Sequence, residues 1–232
     1  LRKLEIIVKE KFTNGVLTYK GKAESIHSVS FSVRSVTDGK SGSPIILMAL
    51  EPGTTEITFS SPTEYTFKGG KYSEMIVNPV INNAAYQKAQ KAFNDHKAKD
   101  LSIKDTFAFN EYYRLAGVSG RARGKVLKQV YEQQNDPLAK LLLQNNGYTS
   151  GDRVADMKTK EELANQLGDI READLTKLLL ESAKKAYAIR ATLEVGKTMK
   201  DFEAKNLEGD NIKLSYVMKN NKYVLVELWA SW

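Results

Sequence analysis

The spacing of hydrophobic positions changes twice along the chain, and the changes divide it into three stretches. Up to about residue 72 the pattern is that of strands. In Ser28-Val29-Ser30-Phe31-Ser32-Val33-Arg34 the period is two, so Val29, Phe31 and Val33 share one face while the serines and Arg34 point to water, as in a half-buried antiparallel strand. Turn chemistry at Asn14-Gly15, Asp38-Gly39, Pro52-Gly53 and Gly69-Gly70 separates further β-rich runs at 45–50, 56–59 and 64–67. These features predict a small antiparallel β-sandwich or sheet over residues 1–80.

From about Ile81 the spacing becomes helical. Ile81, Ala85, Ala89, Ala92, Phe93 and His96 fall on one stripe, with Gln87, Lys88, Lys91 and Asn94 opposite. A second helical segment covers 125–134. Asn135-Asp136-Pro137 interrupts it, with Asp136 placed to cap and Pro137 to open a helix carrying Leu138, Leu141 and Leu142. After the glycines between 147 and 151, Thr159-Lys160-Glu161-Glu162 has the form of a capping box and predicts a short helix ending near Gly168. The longest helix is expected over about 172–193, packing through Leu175, Leu178, Leu179, Ala183, Ala186 and Tyr187. Residues 81–193 therefore read as a helical region.

The pattern turns again at Val195-Gly196. Two short strands, 201–206 and 211–214, flank the turn Leu207-Glu208-Gly209-Asp210, and a nearly continuous apolar run follows from Tyr223 to Trp229. Runs of that kind belong in the middle of a sheet covered on both faces, which predicts the beginning of an α/β domain over 194–232. The fold class expected is α+β and multidomain.

Composition adjusts this picture only in part. A length of 232 residues suits two cores better than one, and no apolar run approaches the roughly 20 residues of a membrane-spanning helix. The chain begins at Leu1 without a charged-then-apolar leader, so either a targeting segment has been removed or the sequence starts inside its gene. Thirty-five Lys and Arg against 28 Asp and Glu leave a net charge of +7. The basic residues are interleaved with acids along the expected helices (Lys88, Lys91, Lys97, Lys99, Lys177, Lys184, Lys185), as on solvated faces, and the reading is of no nucleic-acid role.

Without cysteine, these residues hold no disulfide, thiolate nucleophile or cysteine metal site. His27 and His96 lie far apart in elements of different kinds, so neither a metal nor a cofactor is expected, and His96 reads as a partly packed imidazole. Gly120-Arg121-Ala122-Arg123-Gly124-Lys125 has three residues between its glycines where a phosphate-binding loop has four, and Val126 stands where a hydroxyl must bind magnesium. It reads as a solvated turn. Gly117-Val118-Ser119-Gly120 lacks the spacing of a nucleophile elbow.

Taken together, Val195-Gly196-Lys197, Asp201-Phe202, Leu207-Glu208-Gly209, Ile212-Lys213-Leu214-Ser215 and Lys222-Tyr223-Val224-Leu225-Val226-Glu227-Leu228-Trp229-Ala230-Ser231-Trp232 closely resemble the opening of thioredoxin-like domains of the TlpA/ResA type. The likeness spans about 38 residues, with Met199-Lys200 where the family has alanine-proline. Asn14 to Gly21, Leu50-Glu51-Pro52-Gly53 with Glu56 to Phe59, and Phe67-Lys68-Gly69-Gly70 followed by a helix are similar to a β-rich domain that precedes such domains in bacterial envelope proteins. There a further strand pair comes before the Asn-Gly hairpin, which implies a chain clipped at both ends.

The resemblance implies a thiol-disulfide oxidoreductase of the periplasm or cell envelope whose Cys-x-x-Cys follows directly after Trp232, so that no catalytic residue falls inside this sequence. A helix N-terminus would then stabilise the first thiolate, and the second cysteine would resolve the mixed disulfide. Trp229 and Trp232 would form the aromatic shoulder of that site, and Glu227 would be its candidate proton-relay carboxylate. Implied partners are disulfide-containing protein clients and a reductant, with room for a membrane anchor upstream of Leu1 and for a homo-oligomer. Two other readings compete: a partner-binding or assembly module without redox activity, and a peroxiredoxin-like antioxidant protein, which would want Thr-x-x-Cys in place of Trp-Ala-Ser-Trp.

Overall fold

A computed structural model describes residues 9, 11–22, 24–33, 45–61, 63–97, 106–191, 201–206 and 208–226. The architecture is mixed α and β with helix predominant, and the chain divides into two compact units, Leu1–Leu180 and Glu181–Trp232. Thr13 and Val16 exchange backbone hydrogen bonds of 2.9 and 3.0 Å across Asn14-Gly15, both of which have positive φ, so this pair makes the tight hairpin turn its sequence calls for. Strands β1 (His27–Phe31) and β2 (Ile46–Leu50) pair antiparallel with Val29 opposite Met48. Strands β3 (Glu56–Phe59) and β4 (Tyr65–Lys68) form a second antiparallel ribbon with Ile57 opposite Phe67.

No β-sandwich forms among the described residues, because the inner face of β2 is covered by a helix and not by a second sheet. That helix, α1 (Lys71–Ile81), starts ten residues before the period change near Ile81 and buries Ile76, Val77 and Val80 against Ile46, Ala49 and Phe67. Its first turn is tied to the strands. Glu51 accepts from the backbone N–H of Tyr72 (3.2 Å) and Ser73 (2.8 Å), supplying the carboxylate that a helix N-terminus favours. The buried Ser73 hydroxyl donates to the Ala49 carbonyl at 2.8 Å, and Gly69 N–H donates to Glu74 at 2.6 Å.

Helix α2 (Ala84–Lys97) has no fully buried residue and packs antiparallel along α3 (Thr106–Glu132). Phe93 meets Tyr112 with ring centroids 5.1 Å apart, Ser119 donates to Gln90 at 2.5 Å, and the His96 ring hydrogen-bonds the Ala108 carbonyl at 2.9 Å. Of the expected inner stripe, Ala89, Phe93 and His96 are half-buried while Ala85 and Ala92 are exposed, and Tyr86 and Gln90 face inward in their place. The glycine-rich run at 120–125 is not a turn but the middle of α3. Burial of Ser119, Val126 and Leu127 on the other side of the helix outweighs the weak helix propensity of glycine.

That compromise makes a prediction. A methyl group at Gly120 or Gly124 would meet nothing within 4 Å, and neither residue has positive φ. Gly120→Ala and Gly124→Ala should each raise stability by about 0.5–1 kcal/mol through the smaller backbone entropy loss. Urea midpoints measured for each variant check this.

Helix α4 (Pro137–Asn145) opens as its sequence requires, with Asp136 accepting from Leu138 N–H at 2.9 Å and Pro137 in the first turn. Tyr72 donates its hydroxyl to Asp136 at 2.7 Å. Burial works to raise the Asp136 pKa, but the bonds from Tyr72, Leu138 and Ala139 with Lys71 nearby outweigh it and hold the carboxyl below its ordinary range. Helix α5 (Arg153–Leu167) begins earlier than the capping box at Thr159 suggests. Asp152 accepts from Val154 N–H (2.9 Å) and Ala155 N–H (3.1 Å), so the helix is already capped and Thr159 lies inside it. It closes at Gly168, and Leu163 and Ala164 bury against Leu141 and Ala173.

Helix α6 (Arg171–Ala191) buries Glu172, Ala173, Thr176 and Leu180. The stripe expected to pack is displaced by about a third of a turn: Leu178 and Tyr187 are exposed and Leu175 and Leu179 only half-buried. In the second unit, β5 (Glu203–Lys205) and β6 (Asn211–Lys213) pair antiparallel and lead directly into α7 (Leu214–Lys219). Tyr223–Val226, the described part of the expected central strand, makes no ladder.

Candidate functional site

Glu227, Trp229 and Trp232, the residues singled out beside the expected redox centre, lie outside the described residues. What is described is the scaffold that leads to them. Asp201 organises it: its carboxylate accepts from Ser215 N–H at 2.8 Å and from the Ser215 hydroxyl at 2.7 Å, which fastens the segment before β5 to the first turn of α7. The Ser215 hydroxyl and backbone N–H bonds, with a smaller contribution from Lys213, hold the Asp201 pKa below its ordinary value. Phe202 adds a backbone bond, its carbonyl accepting from Leu214 N–H at 3.0 Å.

With the hairpin and helix so joined, Phe202, Ala204, Ile212, Leu214, Val217 and residues 224–226 line one shallow apolar depression. Only Leu214 in it is buried, and Leu225 is 84% exposed. Lys205 and Asn206 complete its lining, and among the described residues no acid joins them there. Its chemistry is that of a hydrophobic seat.

The first unit holds a polar centre that periodicity did not reveal. Glu172 is 1% exposed, yet its carboxylate has no basic side chain within ion-pair distance among the described residues. It is held by neutral donors: Ser28 N–H at 2.7 Å, the Ser28 hydroxyl at 2.8 Å and the Asn145 amide at 2.7 Å. Asn146, also buried, donates to the Ser28 oxygen at 3.0 Å and to the Leu142 carbonyl at 2.7 Å, and the Thr176 hydroxyl donates to the Glu172 carbonyl at 2.7 Å. Lys160 on α5 senses this carboxylate. Burial lowers the Lys160 pKa while Asp156 and Glu172 work to raise it. Full satisfaction by β1, α4 and α6 makes the cluster a joint between strand and helices, with no open position for a ligand.

Arg123 is a second group the sequence reading placed wrongly. It lies inside α3, half-buried, and donates to the Asn146 carbonyl at the end of α4, where a cation is favoured by the helix dipole. Burial lowers its pKa, while the Tyr86 and Tyr65 phenols work to raise it. Burial in turn pushes the Tyr65 hydroxyl up to about 12.

Both histidines make backbone hydrogen bonds, His27 through Nδ1 to the Ser25 carbonyl at 3.0 Å. Among the described residues no group of three His, Cys, Asp or Glu is placed to hold a metal, and no helix is long and apolar enough to cross a membrane. No protein-family model, no curated protein and no solved structure matches the chain.

Proposed function

We propose that this chain is the front part of an envelope thiol-disulfide oxidoreductase, in which the second unit begins a thioredoxin-like domain and the first unit is an accessory module that positions it or holds a client. The observation that carries the reading is the order β5, turn, β6, α7 and then an apolar run, with one face of that assembly left apolar and uncovered. A hairpin and short helix of this size bury too little to stand alone, and the exposed Phe202 and Ile212 beside the half-buried Val217 suit a layer that continues into a larger sheet. In this reading Tyr223 to Trp229 is the central strand that delivers the first cysteine to a helix N-terminus, where exposed N–H groups stabilise the thiolate.

The test is insulin reduction by the full natural polypeptide. Turnover above the rate of dithiothreitol alone, abolished when the first cysteine after Trp232 is changed to serine, supports the assignment. A folded polypeptide without turnover, or a coding sequence with no paired cysteines after Trp232, overturns it and leaves a binding module.

A further inference from the structure

The basic residues look dispersed in the sequence, but the fold gathers several of them on one helix. Together α2 and α3 carry eight Lys and Arg against three Asp and Glu. On α3, Phe107, Arg114, Arg121 and Lys128 are spaced by seven, so they drift by only about 20° per step around the helix and share its solvent side. Lys125 stands one turn from Arg121 on the same side, and all five are exposed, while Ala108, Ser119, Val126 and Leu127 face the core.

Two of the charges are partly neutralised on the same helix: Arg114 pairs with Glu111 at 2.6 Å and Lys128 with Glu132 at 3.8 Å. On α2, Lys91 pairs with Asp95 at 2.9 Å. Arg121 and Lys125 have no carboxylate partner among the described residues. Near the start of the stripe Phe107 is 82% exposed; Phe109 and Tyr113, which stack edge to face with centroids 4.9 Å apart, project from a different side of the helix.

We propose that this side of α3 docks on an anionic lipid surface, with Arg121 and Lys125 facing the headgroups and Phe107 entering the interfacial layer. The match is of charge and shape. A stripe along a 27-residue helix presents its cations to a plane all at once, and the exposed Phe107 ring at one end suits the boundary between headgroup and acyl chain. A nucleic acid would use the cations but offers no apolar layer to Phe107.

Co-sedimentation of the whole chain with vesicles tests this. At low salt the chain should partition onto phosphatidylglycerol-containing vesicles at least tenfold more strongly than onto phosphatidylcholine alone, and salt should weaken the binding because exposed charges are screened over about 10 Å at 0.1 M. Arg121→Glu with Lys125→Glu should reduce partitioning at least tenfold, and Phe107→Ser should reduce it severalfold. Lys184→Glu with Lys185→Glu, an equal charge change on α6, should not. The inference is overturned by equal binding to both vesicle types, by an Arg121/Lys125 variant of native circular dichroism that binds undiminished, by an equal loss in the α6 variant, or by binding to duplex DNA or polyglutamate with none to vesicles.

Discussion

Replacing Glu172 with alanine should lower the unfolding free energy by about 3–5 kcal/mol, because each buried donor left without an acceptor costs about 1–3 kcal/mol and a cavity is added. Ser28 N–H and the Ser28 hydroxyl both lose their acceptor, whereas the Asn145 amide keeps the Thr176 hydroxyl at 2.7 Å. Glu172→Gln keeps the shape but turns an amide N–H₂ toward groups that are themselves donors, so it should cost roughly 2 kcal/mol. Ser28→Ala should cost about 1 kcal/mol in the parent and less once Glu172 is alanine, since the bond to Glu172 is then already gone and only the one accepted from Asn146 remains to be lost. Chemical denaturation of the four proteins measures that coupling. Strictly additive losses would mean that Glu172 acts by filling space and that the Ser28 bonds contribute little.

The same residues show how much was legible in the sequence. Asp136-Pro137 opened a helix as read, and the turns at Asn14-Gly15 and at 208–210 fell where their residues placed them, because caps and tight turns are local and depend on a few neighbours. Period also located β1 correctly, and of the serines it sent to water Ser30 and Ser32 are exposed, but Ser28 meets Glu172 from 144 residues away. Alternation reports which face is apolar. It does not report that the other face is covered by polar groups that satisfy one another. Nothing in the sequence set Glu172 apart at the start of its helix, and Arg123 read as part of a solvated turn, because burial by long-range partners leaves no local mark. Helix starts shifted for a related reason: Asp152 and Glu51 cap α5 and α1, the first from one residue upstream and the second from 20 residues before Lys71. Of the candidate site, only the approach to it, 201–206 and 208–226, was both foreseen and described, while Glu227, Trp229 and Trp232 fall beyond the described residues.

Gly69→Ala should be the most damaging small change in the first unit. Gly69 has φ +95, which a side chain rarely adopts, and an added methyl carbon would sit 2.0 Å from the Thr54 carbonyl oxygen, a backbone atom that cannot swing aside. Backbone strain of about 1–3 kcal/mol and overpacking of about 1–3 kcal/mol act together, for an expected loss of roughly 3–5 kcal/mol. Gly70→Ala differs in kind. Its φ is +82, but the atom met at 2.5 Å is a carboxylate oxygen of Glu51, the group that caps α1. Relief is available only by moving that carboxylate off the Ser73 and Tyr72 N–H groups, so Gly70→Ala should carry the cost of strain plus a lost cap, about 2–4 kcal/mol. Adding Glu51→Ala to each variant separates the two. The double change should cost less than the sum of its parts at Gly70, where the cap is already displaced, and should be additive at Gly69, where the clash is with backbone. Denaturation midpoints that showed the reverse order would mean that the two glycines serve the turn between β4 and α1 alone, with no part in seating the Glu51 carboxylate.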